Sequence, residues 1–357
     1  MLFSPGPTEI EPHIRQIGAA SMPYFRDAEY TEIILELSED MRHLFGTRRT
    51  PLMITASGSG TMEMAIQNLT EAGERVVSIN GGTFGRKWGT MCRAFGLAVE
   101  EIEVPYGRHP DLDIIDAALT KGAKALFATA HETSTGYLFD VEALGRIAKA
   151  HGALFIVDAV SSIGADPFRM DDWQCDCTFV SSQKALACMP GLSVIAFSEE
   201  AERIAKTNRR HRYYFDAPEY LLNATRGMIP YTPAMIATLQ LRERMREIRA
   251  AGLDHLIERH AAKARAFRER LLKVDGFSPF PERSSHSMSA VNLPEGCSMR
   301  ALVAYFKERY GWFIAPNPTQ VDTYLRISHM GALSEGDLVL LAERVEQACR
   351  ETRSQRD

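Results

Sequence analysis

Apolar residues recur along this chain in seven short runs, at 52 to 55, 75 to 79, 99 to 104, 125 to 130, 154 to 158, 177 to 182 and 192 to 197, with amphipathic stretches between most of them. Runs such as Leu154-Phe155-Ile156-Val157 lack polar alternation, which predicts strands buried on both faces. Strands alternating with helices predict an α/β fold, a mostly parallel seven-stranded sheet with helices on both faces. From about 234 to 273 the pattern becomes a long, charged helical stretch through Leu239-Gln240-Leu241-Arg242-Glu243 to Leu272, interrupted near Gly252, which predicts a bridge between two domains. Short strands near 288 to 293 and 323 to 328, with helices at 298 to 310 and 334 to 350, predict a small C-terminal α+β domain. The polar residues from Glu351 to Asp357 are expected to fray.

Composition narrows the classes. With 357 residues and 45% hydrophobic content, the chain can bury a large core. A net charge of −5 and a pI near 6.1 provide no basic field, which argues against nucleic acid or an anionic membrane as partner. No leader segment and no apolar run of about 18 residues is visible, so a soluble, cytoplasmic protein is expected. Cys92, Cys175, Cys177, Cys188, Cys297 and Cys349 lack paired CxxC spacing, which predicts reduced thiols rather than a disulfide framework and no metal site.

Candidate chemistry begins with Asp158, delivered by the run 154 to 157 to a strand's carboxyl end, and with Lys184, just past the run 177 to 182. Open α/β sheets bind ligands at that edge. A lysine there can hold pyridoxal phosphate as a Schiff base, while a carboxylate against the pyridine nitrogen keeps the ring protonated. Either residue alone would more commonly be a solvated amine or a turn former. Ser57-Gly58-Ser59-Gly60-Thr61 opens an amphipathic helix, where backbone amides and the helix dipole can cradle a phosphate, although such turns often only cap. Phe84, in a glycine-rich loop, can offer its face to a planar coenzyme or simply pack in the core. Thr133 brings a hydroxyl to another strand end.

The ordered motifs SPGPT at 4 to 8, SGSGT at 57 to 61, HETSTG at 131 to 136, VDAVSS at 157 to 162, SSQKAL at 181 to 186, PYTPA at 230 to 234 and LRISHMG at 325 to 331 extend over nearly the whole chain. In them the chain resembles the class V aminotransferases of fold type I, in the branch of alanine or serine:glyoxylate (pyruvate) and 2-aminoethylphosphonate:pyruvate aminotransferases. The resemblance implies pyridoxal 5'-phosphate as cofactor, with Lys184 as the Schiff-base lysine and Asp158 as the partner of the ring nitrogen. It makes Val160 the small apolar residue beneath the ring, Phe84 the stacking aromatic and Thr133 the neighbour of the phenolic oxygen. Ser59, Gly60, Thr61 and Gln183 match phosphate contacts, and Thr232 matches a phosphate ligand donated across a homodimer interface. Some relatives carry an aromatic hydroxyl three residues before that threonine. Here that position is Ile229 and the nearby hydroxyl is Tyr231, so the second cross-subunit donor stays open. Arg326 matches the arginine that clamps the substrate carboxylate, and Pro5-Gly6-Pro7 the amino-terminal loop lining the substrate pocket. Ser328 stands where glycine is common, so substrate preference is open. The implied domains are residues 12–255, binding the coenzyme, and residues 1–11 with 256–357, a pocket segment plus the small domain.

Three readings follow. The first is an aminotransferase taking an amino group from alanine, serine or 2-aminoethylphosphonate to a 2-oxo acid, pyruvate or glyoxylate. The second is a lyase or desulfurase of the same class, for which Cys188 and Cys297 are the nearest candidate cysteines. The third is a non-catalytic homodimer, against which the intact Lys184 and Asp158 speak. The basic, aromatic stretch from Asn208 to Phe215 reads as a loop or interface segment, or as an aid to admitting an anionic substrate, ahead of a single-strand nucleic-acid site.

Overall fold

The computed structural model describes residues 1–354. Its strands are β1 (Leu52–Ile54), β2 (Arg75–Asn80), β3 (Ala98–Glu103), β4 (Ala125–Thr129), β5 (His131–Glu132), β6 (Tyr137–Leu138), β7 (Leu154–Asp158), β8 (Cys177–Ser181), β9 (Ser193–Phe197), β10 (Ser278–Pro279), β11 (Met288–Asn292) and β12 (Tyr324–Ser328). The seven apolar runs become one seven-stranded sheet in the order β1-β9-β8-β7-β4-β2-β3. Every residue of β4, β7, β8 and β9 is buried, as apolar strands covered on both faces require. The edge strand β3 instead carries Glu100 and Glu101, ion-paired to Arg75, Lys121 and Arg93, charges that keep an open edge from pairing with another chain.

One strand departs from the parallel set. β9 runs antiparallel to both β8 and β1. The chain therefore returns directly from β8 into β9, and Lys184 sits in the loop of that return. Hydrogen bonds from Ser182 N to Leu192 O at 3.0 Å and from Ser182 Oγ to Met189 O at 2.6 Å hold the loop closed.

Two large apolar clusters form beside two small ones. The first large one extends from Ile14 to Leu256, and the second joins Phe3 to residues between Phe267 and Cys349. The interruption at Gly252 divides the long charged segment into helices Met235–Ala251 and Leu253–Leu271. The first packs on helix Ala28–Phe45 and the second on helix Glu335–Ser354, so the segment serves both clusters. Phe3 donates its amide to Phe313 and accepts one from Ser328, while Thr8 donates to the Gln183 carbonyl. The amino-terminal segment thus reaches from the C-terminal cluster to the lysine loop. β10, β11 and β12 form an antiparallel sheet in which Arg326 pairs with Ala290. The last helix runs on to residue 354 where fraying was expected from Glu351; residues 355 to 357 lie outside the described residues. No helix of the described residues is long and apolar enough to cross a membrane.

Candidate active site

The carboxyl ends of β4 and β7 lie side by side, Thr129 pairing with Asp158, and Asp158 pairs in turn with Phe179 of β8. Beyond them opens a cavity of about 160 Å³. Asp158 and Lys184 both line it, together with Ser59, Phe84, Thr133, Val160 and Gln183 from the sequence expectations.

Asp158 is 6% exposed, and its Oδ1 accepts the Val160 N–H at 2.9 Å. Burial raises its pKa to about 6, because one amide cannot replace the water a carboxylate loses. The site therefore favours a proton or a cation at this carboxylate. Lys184 is shifted the other way. Burial lowers its pKa to about 8, opposed by the negative charge of Asp158. Relative to an ordinary lysine, this raises the fraction of free amine at neutral pH by about two orders of magnitude. Its Nζ donates to the Pro5 carbonyl at 2.7 Å, and its backbone carbonyl accepts the Thr8 hydroxyl at 3.1 Å.

The helix Gly58–Leu69 presents its first turn to the cavity. Ser57 makes no side-chain cap, so the plain-capping explanation of this serine fails, and the first-turn amides face a ligand position. Lys87 joins them, donating to Ser59 Oγ at 3.1 Å while lying 5.2 Å from the Phe84 ring centre. Gly58 is required by close approach, since a Cβ there would come within 2.9 Å of Val160. Gly6 packs likewise on the amine, where a Cβ would fall 2.5 Å from Lys184 Nζ.

Phe84 is aimed by a buried carboxylate that the motif contained without revealing its task. Glu132 accepts the amides of Phe84 at 3.1 Å, Gly85 at 2.9 Å and Ser134 at 3.1 Å, together with the Ser134 hydroxyl. It thus supplies the negative charge for helix Thr83–Ala94, whose N-cap Gly82 has no side chain to cap with. Glu132→Ala should cost about 3 kcal/mol by leaving several buried donors unpaired. Thermal unfolding checks this, and Glu132→Gln, which keeps one acceptor oxygen, should recover part of the loss.

Other expected residues stand elsewhere. Gly60 and Thr61 do not line the cavity: both amides bond the Ser57 carbonyl, and the Thr61 hydroxyl donates to Gly58 O at 2.8 Å. The helix consumes those donors itself, leaving the anion-facing positions at residues 57 to 59. Arg326 lies behind Thr133. Its two terminal nitrogens donate to Thr133 O and Pro316 O, each at 2.7 Å, while Nε has no partner among the described residues. Burial lowers its pKa to about 10, which leaves it charged at neutral pH. Pro5 and Gly6 meet Lys184 rather than Arg326. Tyr231 stacks on Tyr214 with ring centres 4.8 Å apart, Thr232 is exposed, and neither lines the cavity.

Two arginines of the basic stretch after Asn208 use their charges internally. Arg210 donates to Thr70 O and Phe95 O, and Arg212 pairs with Asp216 at 2.7 Å. Cys188 is buried and Cys297 half-buried in the C-terminal cluster, so neither reaches the cavity. The lining residues Lys87, Thr129 and Ser161 had no role assigned from sequence. His131 was visible only as part of its motif. Their contribution depends on side-chain direction, which spacing along the chain does not carry.

The Aminotransferase class-V family model matches residues 16–314. The chain is similar to the soluble hydrogenase small subunit of a Synechococcus species, 31% identical over 97% of this chain and 92% of that protein. It is similar also to the serine–glyoxylate aminotransferase of Methylorubrum extorquens, 32% identical over 95% of this chain and 88% of that one. Among solved structures, the aspartate aminotransferase of subgroup IV from Thermus thermophilus superposes with a TM-score of 0.89 at 28% identity, covering 98% of this chain and 99% of that chain.

Proposed function

Because this chain belongs to the class V aminotransferases, we propose that it moves an amino group from a small amino donor to pyruvate or glyoxylate, with pyridoxal 5'-phosphate as coenzyme. The observation that carries the reading is the meeting, in one cavity, of a half-buried lysine whose desolvated amine is more easily neutral and a buried aspartate lacking a cationic partner.

The residues fit that coenzyme. A protonated pyridine nitrogen would supply the cation that Asp158 lacks, and the bare Cα of Gly58 with Val160 leaves a floor for a flat ring. Lys87, Ser59 and the first-turn amides would hold the phosphate, with Gln183 nearby to donate through its side-chain Nε2. When bound, the coenzyme supplies an aldehyde for the lysine and an electron-withdrawing ring that eases loss of the substrate's α-proton.

The chain's own side chains do the rest. Lys184 Nζ would hold the aldehyde carbon, and once displaced by the incoming amine it would carry the proton at the substrate's α-carbon. Arg326, fixed by two backbone carbonyls, offers its remaining N–H groups to a carboxylate. Thr133, whose hydroxyl lies 2.8 Å from Ser161 Oγ, stands at the cavity wall and would offer that hydroxyl to the coenzyme's phenolic oxygen. The same reading makes a homodimer of the chain, with Thr232 and Tyr231 serving the neighbouring subunit's phosphate, and places it in the cytoplasm. Residues 12–255 would then form the coenzyme domain.

Donor preference is the open part of the reading. Serine, alanine, 2-aminoethylphosphonate and aspartate, each offered with pyruvate and with glyoxylate, should leave one pair clearly ahead in kcat/KM. The coenzyme-loaded protein should be yellow and change absorbance when that donor is added alone. A yellow protein that none of the donors alters would overturn the aminotransferase reading in favour of a lyase.

A further inference from the structure

His131 is 1% exposed and lines the cavity, yet its Nε2 has no hydrogen-bond partner among the described residues. Its Nδ1, by contrast, is crowded by oxygen: Ser161 O at 3.3 Å, Ser161 Oγ at 3.0 Å and Ser287 Oγ at 3.0 Å. The donor inventory sets the tautomer. Ser285 gives its hydroxyl proton to the Asp166 carboxylate, so in the 2.8 Å contact between Ser285 and Ser287 the proton comes from Ser287. Ser161 donates to the His131 carbonyl at 3.2 Å. The Ser161 backbone carbonyl can only accept, and the Ser287 hydroxyl has given its proton to Ser285, so Nδ1 carries the ring's proton.

The ring is neutral, because burial lowers its pKa to about 3 and the charges of Lys184, Arg268 and Arg326 push the same way. Nε2 is left with a lone pair, buried at the wall of a ligand cavity. A buried acceptor without a donor is costly, and the residues packed around it supply none.

We propose that His131 is a binding residue of this cavity, its Nε2 accepting a hydrogen bond from a proton-bearing group of the bound coenzyme or amino donor, with Ser287 as the positioning residue that sets its tautomer. This rests on the coenzyme reading above. Ser287 belongs to the C-terminal part of the chain and His131 to the large sheet's side, so one of the three oxygens around Nδ1 arrives only when the two parts are joined. Residue spacing could not have shown this.

The test has a coenzyme-free arm and a binding arm. In the free protein, nitrogen NMR of His131 should show Nδ1 protonated, and Ser287→Ala should give a mixture of tautomers. In the binding arm, His131→Phe fills the space without an acceptor, whereas His131→Gln keeps one. If the coenzyme's ring hydroxyl is the donor, His131→Phe should weaken pyridoxal phosphate about tenfold but leave an analogue lacking that hydroxyl unaffected. If the amino donor is the source, coenzyme affinity should hold and the donor's KM should rise about tenfold. In either case His131→Gln should stay close to the parent. Protonation found at Nε2 overturns the inference, as does a folded His131→Phe protein that changes neither constant. A parent protein that binds no pyridoxal phosphate overturns the coenzyme reading together with this one.

Discussion

Replacing Lys184 by alanine should abolish transamination, with a loss of at least about 10⁴-fold in kcat. The change removes both the group that would hold the coenzyme covalently and the group that would carry the α-proton. Such a unit does not divide between two residues. The amine lies in a cavity where Pro5, Gly6 and the Ser181–Ser193 return hold it, and Lys87, the other lysine lining it, is turned to Ser59 at the helix start. Stopped-flow absorbance on coenzyme-loaded protein checks the result. The parent should change spectrum on adding an amino donor and Lys184→Ala should not. A variant that retained a tenth of the parent's rate would remove Lys184 from its proposed role.

Asp158→Asn should lower kcat by on the order of a thousandfold, the worth of about 4 kcal/mol of charge stabilisation at the ring nitrogen. An amide keeps the shape and the acceptor for Val160 N–H but cannot hold a cation in place. The same substitution has a second consequence in the coenzyme-free protein. Asp158 has a folded-state pKa near 6, above its ordinary 3.8. The folded chain thus binds this proton more tightly than the unfolded one, and stability falls as pH rises between about 4 and 6. At pH 7 the charged carboxylate then costs on the order of 3 kcal/mol. Asp158→Asn should accordingly be more stable than the parent at pH 7 when coenzyme is absent, with the difference vanishing below about pH 4. Urea unfolding at the two pH values measures it. A variant less stable than the parent at pH 7 would mean that Asp158 is structurally paired and was not held in reserve for a ligand.

The two variants act on opposite sides of one arrangement. Burial costs an aspartate its charge and a lysine its proton, and here the costs fall on residues facing the same volume. Groups placed this way are stabilised when a ligand supplies the missing partner, which ties coenzyme binding to stability. Thermal unfolding with and without pyridoxal phosphate therefore reads the same assignment as the kinetics.

Much of the site was legible from the chain because its parts lie at strand ends and at one helix start, where apolar runs stop and polar residues begin. Asp158 follows Leu154-Phe155-Ile156-Val157 without a break, so its position at a carboxyl edge needed only the run and the rule for open sheets. Phe84 and Thr133 were placed for the same reason. For Gly60 and Thr61 the run carried less: a glycine-rich helix start shows that amides are present but not which of them the helix uses. Here Ser57 O takes the amides of residues 60 and 61, and the free positions move back to 57 to 59. Glu132 escaped because a two-residue strand is too short to show periodicity, and its partners at Phe84 and Gly85 are 48 and 47 residues away in sequence.

By itself the sequence determined the alternation of strands and helices, the strand ends bearing Asp158 and Lys184, and the family the chain belongs to. Each of these depends on neighbours along the chain: burial on the run of apolar side chains, turns on the residues that permit them. Tertiary structure alone decided that β9 returns antiparallel, that Lys184 is pressed by Gly6 and bonded to Pro5, and that His131 meets Ser287. Those depend on which atoms come within a few ångströms across the fold, on desolvation there, and on the count of donors and acceptors left over. That count closes only when the distant parts of the chain are packed together.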